Sequence, residues 1–126
     1  AKEEAQFVLD CLSGHEITGP VIFDWELIGG TSARTYSVEK SVLTDCAIAF
    51  CETIRAAGYT PMVYVGNTVG YLRLDLSRLT AYDLWYAQYD TDYPGFFYDF
   101  LIWQYTSKGS VPGVAGNVDM DIWFIK

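Results

Sequence analysis

One long amphipathic segment flanked by two short apolar runs constrains this chain more than any other feature. Val38, Val42, Cys46, Phe50 and Ile54 recur every four residues, and Leu43 and Ala47 widen the stripe. That periodicity predicts a helix over 37–57, with Ser37 as its N-cap and Gly58 as its C-terminal stop. Val21-Ile22-Phe23 precedes the helix, and Pro61-Met62-Val63-Tyr64-Val65 follows it. Both runs read as buried strands. A strand–helix–strand order argues for parallel pairing through a right-handed crossover, which makes the chain α/β.

The remaining segments extend this pattern unevenly. Residues 2–13 read as a short amphipathic helix, with Ala5, Val8, Leu9 and Leu12 at helical spacing and Gly14 as the stop. The first strand is expected to run on through Asp24, Trp25 and Glu26 until Gly29-Gly30 ends it. A region around 67–79 has room for one or two helical turns. Leu84 to Ala87, Phe100 to Tyr105 and Met120 to Ile125 read as further strands. Their connections are too short for full helices. No linker-like tract and no internal repeat divides the sequence, so residues 1–126 are expected to form a single domain. The sum is about five mostly parallel strands with few helices in the second half. Such an open sheet has two exposed edges, so the expected architecture is an incomplete (β/α) barrel, and self-association through those edges is open to it.

Composition removes several functions. Sixteen acidic against eight basic side chains give a net charge of −8, with no Lys/Arg cluster to offset it. A phosphate backbone is repelled, so nucleic acid is excluded as a partner. No apolar run is long enough to cross a membrane, and no signal peptide is present. The chain opens with Ala1-Lys2-Glu3-Glu4 and no initiator methionine, which reads as the middle of something longer. Three cysteines, Cys11, Cys46 and Cys51, and one histidine do not match a zinc-ligand spacing. The thiols read as small buried hydrophobes, His15 as an inert surface residue, and no metal or cofactor is expected.

Chemistry points instead to carboxylates. Asp24 and Glu26 form a D-x-E pair whose Cα atoms, on one strand, would lie roughly 6.5 to 7 Å apart on one face. At the C-terminal end of a parallel strand both would point into a barrel mouth, where such enzymes keep their sites. Like charges that close push one carboxyl toward its neutral form, and glycoside cleavage needs such a division into proton donor and anion. Two carboxylates ending a strand in solvent is the plain alternative, weakened by the wholly apolar Val-Ile-Phe before them and by Trp25 between them. Asp119 and Asp121 repeat the spacing near the C-terminus. Either could bring a third carboxylate to the mouth, though for Asp121 a solvated strand start is the preferred reading. Among many aromatic residues, Trp85, Tyr86 and Tyr105 sit at strand ends and are candidates to stack on sugar rings.

The strings around these residues resemble a known family. Val21-Ile22-Phe23-Asp24-Trp25-Glu26 is similar to the catalytic strand of the family 25 glycoside hydrolases, the Chalaropsis-type lysozymes. The resemblance continues in 44–51, in 57–64, in Leu84-Trp85-Tyr86-Ala87-Gln88-Tyr89, in 103–109 and in 113–119, in family order. It implies an N-acetylmuramidase acting on the peptidoglycan glycan strand, outside the cell or in the cell wall. Carried over by motif, Glu26 would be the general acid and Asp24 would orient or stabilise the substrate's own 2-acetamido group. Asp119 matches a further acidic position lining the site, and Tyr64 a tyrosine on the adjacent strand. The family's opening strand, with its D-x-S-x-x-N/Q-G context, has no counterpart here, which implies a truncated barrel with reduced activity. A glycan-binding or oligomerising remnant is the alternative.

Overall fold

The computed structural model describes residues 1–33 and 35–125. Helix α1 covers Lys2–Leu12, strand β1 Val21–Phe23, helix α2 Lys40–Ala56 and strand β2 Pro61–Gly66. Helix α3 (Asn67–Arg73) and a 3-10 turn at Leu76–Arg78 lead to β3 (Asp83–Ala87), β4 (Ile102–Gly109) and β5 (Val118–Trp123). The five strands form one sheet in the order β1-β2-β3-β4-β5, parallel except for the antiparallel β4–β5 pair. It is a half-barrel, with the full crossover helix only between β1 and β2, as the sequence pattern predicts.

Strand parity assigns the two faces. Val21, Phe23, Val63, Val65, Leu84, Tyr86 and Trp103 are buried together with Leu43, Ala47, Phe50, Cys51 and Ile54 of α2. Successive side chains alternate, so Ile22, Met62, Tyr64, Trp85, Ile102 and Gln104 line the other, inner face. Removing each large apolar side chain on the helix side from water contributes about 1.5–3 kcal/mol, and this layer holds the sheet to α2.

Helix α2 departs from expectation at its start and along its stripe. It begins at Lys40 with Glu39, not Ser37, at the N-cap, and no side chain caps it. Arg73 explains the delay: its guanidinium donates to the Tyr36 carbonyl at 3.0 Å and the Val38 carbonyl at 2.8 Å, holding that segment out of the helix. The buried line runs Leu43, Ala47, Phe50, Ile54, while Val42 is 51% exposed. Gly58, at φ +90°, ends the helix in the left-handed conformation expected of it. Cys51 is buried and its thiol is pushed up to about 12 by that burial, but Cys46 is only half-buried and Cys11 is exposed. The expectation of three buried thiols is therefore corrected.

The boundaries of three strands also move. β4 starts at Ile102 and runs to Gly109, so β5 pairs from Val118 and not from Met120. Gly109 permits the close approach, since a Cβ there would run into the Met120 side chain and sit 2.9 Å from the Val118 carbonyl. More consequential, β1 ends at Phe23, before the two acidic residues. Trp25 packs back against the helix-side core under the Arg73 guanidinium, 5.2 Å from its ring centre. The Ile28 N–H then folds to the Glu26 carbonyl, and Gly29 and Gly30 take positive φ. Asp24 and Glu26 thus sit on a turn just past the C-terminal end of β1.

Candidate active site

The inner face gathers its polar groups at the C-terminal ends of the parallel strands. Asp24 lies between Phe23 and Trp25, which both pack toward the helices. Its residue surface is largely exposed, yet neighbours crowd the carboxyl enough that partial burial holds it above the ordinary carboxylate range. Glu26 is exposed. Both carboxylates act on the same phenol, Tyr64 of β2. Burial first, then the neighbouring Tyr89 hydroxyl, then the charges of Glu26 and Asp24 push Tyr64 well above its usual value. The sequence offers Asp24 and Glu26 as a pair and Tyr64 through the family resemblance; β1 and β2 are neighbours in the sheet.

Tyr64 is fixed from two sides. Its hydroxyl donates to Gln104 Oε1 at 2.8 Å, reaching from β2 to β4, and its ring meets Trp85 edge-on at 5.1 Å between centres. Gln104 is 4% exposed, and its Oε1 also accepts from the Tyr89 hydroxyl at 2.5 Å. Trp85 of β3 donates its indole N–H to Asp121 Oδ1 of β5 at 2.7 Å. Partial burial raises the Asp121 carboxyl above its ordinary value, the Trp85 hydrogen bond opposes this, and the charge of Asp119 adds to it. Asp119 itself is exposed and reaches the group through Asp121.

The structure separates the three aromatic candidates. Trp85 lies half-exposed on the inner face beside Tyr64. Tyr86 does not: it is fully buried in the helix-side core, stacked on Phe96 at 4.2 Å, with its hydroxyl on Gln88 Oε1. As one of two adjacent residues on a strand it must face opposite to Trp85, which removes it as a substrate contact. Tyr105 stays half-buried against Trp103, its hydroxyl 3.6 Å from the Met120 sulfur. Sequence reasoning missed Gln104 and Tyr89; Asp121, read as a solvated strand residue, is exposed and also accepts the Trp85 indole N–H. A buried-strand polar residue, Gln104 between Trp103 and Tyr105, was the available signal. Among the described residues no group of three His, Cys, Asp or Glu side chains is placed to hold a metal ion.

Comparison with known proteins places this site in context. Residues 1–114 match the glycosyl hydrolases family 25. The solved structure of the CTP1L endolysin is 28% identical with a TM-score of 0.79, over 98% of this chain and 41% of that one. The spore cortex lytic enzyme SleM of Clostridium perfringens is 20% identical with a TM-score of 0.74, over 97% of this chain and 43% of that one. A bacterial lysozyme from Streptomyces coelicolor is 17% identical with a TM-score of 0.51, over 75% and 46%. The last two likenesses speak for the fold alone. The chain spans less than half the length of each of these structures. Among curated proteins no match was found. The half-barrel, the carboxylates past the end of β1 and the match over 1–114 agree: the chain belongs to the glycosyl hydrolases family 25.

Proposed function

We propose that this chain carries the acid–base machinery of a peptidoglycan hydrolase that cuts the β-1,4 bond between N-acetylmuramic acid and N-acetylglucosamine. The observation that supports the reading is that Asp24 and Glu26 follow directly on the C-terminal end of β1, beside β2 and its Tyr64. Family membership supports glycoside hydrolysis as the reaction class.

In this reading Glu26 protonates the glycosidic oxygen as the C1–O bond breaks. The carbonyl oxygen of the substrate's 2-acetamido group attacks C1 from the opposite face. Asp24, held partly desolvated, accepts a hydrogen bond from the acetamido N–H and stabilises the positive charge of the resulting oxazolinium ring. Water then attacks C1, giving its proton to the Glu26 carboxylate and restoring the acetamido group. Trp85 offers a half-exposed ring for stacking on a pyranose face, and Asp119 adds a further carboxylate at the rim. The substrate places this activity outside the cell or in its wall. No helix among the described residues is long and apolar enough to cross a membrane.

The test is product analysis. Purified peptidoglycan treated with the chain and then reduced with borohydride should yield muramitol and no glucosaminitol. Glucosaminitol as the product would contradict the bond assignment, and no new reducing end would contradict hydrolysis.

A second reading, glycan binding without cleavage, is favoured by the exposure of both Asp24 and Glu26 on an open half-barrel. It predicts that a Glu26→Gln change leaves glycan affinity unchanged in a chain that never cleaved.

A further inference from the structure

We propose that Gln104 is a positioning residue that sets the direction of the two phenol protons at the site, so that Tyr64 and Tyr89 present oxygen acceptors to the substrate. The proposal rests on the glycosidase reading above. Gln104 projects from β4 onto the inner face beside Asp121, its antiparallel partner, and its side chain is almost wholly enclosed. Its Oε1 accepts from Tyr64 Oη at 2.8 Å and from Tyr89 Oη at 2.5 Å, the one from β2 and the other from the segment after β3. A phenol has one proton. With both protons committed to one amide oxygen, each phenol oxygen is left with lone pairs only.

That polarity has a consequence for recognition. Beside Asp24 and Glu26, a Tyr64 oxygen stripped of its donor role matches a group that gives a hydrogen bond, such as a sugar hydroxyl or an acetamido N–H. A free phenol would rotate and donate to either carboxylate, lowering the basicity of the group that must act on the substrate. The enclosed amide prevents this, because turning the Tyr64 hydroxyl outward would leave one of its two bonds to a buried oxygen unmade. The backbone adds rigidity: the Gln104 carbonyl accepts the Gln88 N–H at 3.1 Å, and the Gln88 carbonyl accepts the Trp103 indole N–H at 2.9 Å. Tyr89 follows Gln88 directly, so the same pair holds its backbone beside Gln104.

The experiment compares Gln104→Leu, Gln104→Glu and Tyr89→Phe with the parent chain on soluble glycan strands, alongside Glu26→Gln. Steady-state rates are measured across pH, and affinity for a tetrasaccharide of alternating N-acetylglucosamine and N-acetylmuramic acid is read from tryptophan fluorescence. Gln104→Leu should lower kcat by about tenfold to a hundredfold with less than about a threefold change in KM. Gln104→Glu keeps the acceptor, so it should recover most of the rate, and its added charge should move the alkaline limb of the pH profile upward. Tyr89→Phe removes one donor, leaves the packing and should cost about threefold in rate, which serves if the Leu variant does not fold. If Glu26→Gln keeps full activity, the catalytic reading fails, and the Gln104 proposal then stands on affinity alone, with about a fivefold loss in Gln104→Leu restored in Gln104→Glu. Parent-level kcat and affinity in Tyr89→Phe, or in a folded Gln104→Leu variant, would overturn it.

Discussion

The Trp85 indole donates to the Asp121 carboxylate at 2.7 Å, tying β3 to β5 across the whole width of β4. This bond holds an aromatic ring that meets Tyr64 edge-on at the inner face. Asp121→Leu should free the ring, weakening glycan affinity by about threefold to tenfold, whereas Asp121→Asn keeps an acceptor and should stay within about twofold. Fluorescence titration with a soluble glycan tetrasaccharide separates the two. Equal affinities in both variants would show that Trp85 needs no anchor.

Asp24 gives a pH dependence with a definite sign. Partial burial raises its folded value above the ordinary 3.8. Below that ordinary value the carboxyl is protonated in both the folded and the unfolded chain. Above it the unfolded chain releases the proton first, so stability present at low pH is lost as pH rises through the folded value. Asp24→Asn should therefore melt higher than the parent at neutral pH, by no more than about 2 °C since solvent screens this exposed group, with the gap closing in acid. The same change should lower activity, the usual exchange between stability and function at a working site. Paired thermal melts at neutral and acid pH check the first point, and an equal gap at both would refute it.

Thr44 joins α2 to the segment beyond α3. It is fully buried, its hydroxyl donates to the Lys40 carbonyl at 2.8 Å, and it accepts the Asp75 N–H at 2.9 Å. Thr44→Val preserves the shape but strands the Asp75 N–H, at a cost of about 1–3 kcal/mol. Urea denaturation should show a lower midpoint with an unchanged slope. Thr44→Ser, which retains the hydroxyl, should recover more than half of the loss.

The legible part of this molecule was set by local patterns, and the illegible part by register. The helical spacing of Val38, Val42, Cys46, Phe50 and Ile54, widened by Leu43 and Ala47, with apolar runs on either side, was enough to yield β1, α2, β2 and their parallel pairing, although the face that is buried runs through Leu43 and Ala47. Asp24 and Glu26 stood out for a local reason too, since they follow an apolar strand. Tyr86 was misplaced because Leu84-Trp85-Tyr86-Ala87 has no polar residue to mark its faces, so the run carries no alternation to read. Gln104 was invisible as a clamp because its partners lie 40 and 15 residues away and meet it only once β2, β3 and β4 are laid side by side. The end of β1 is hidden for the same kind of reason: Trp25 packs under Arg73, a partner 48 residues away in sequence.

The central claim is that Glu26 is the proton donor of a glycan-cleaving site, and reducing-end release from purified peptidoglycan tests it most directly. The parent chain and its Glu26→Gln variant are compared at matched concentration, with folding checked by circular dichroism. The account predicts measurable release by the parent and a loss of at least about a hundredfold in the variant. Equal release from both would contradict Glu26 as the acid, and no release from the folded parent would contradict cleavage by this chain.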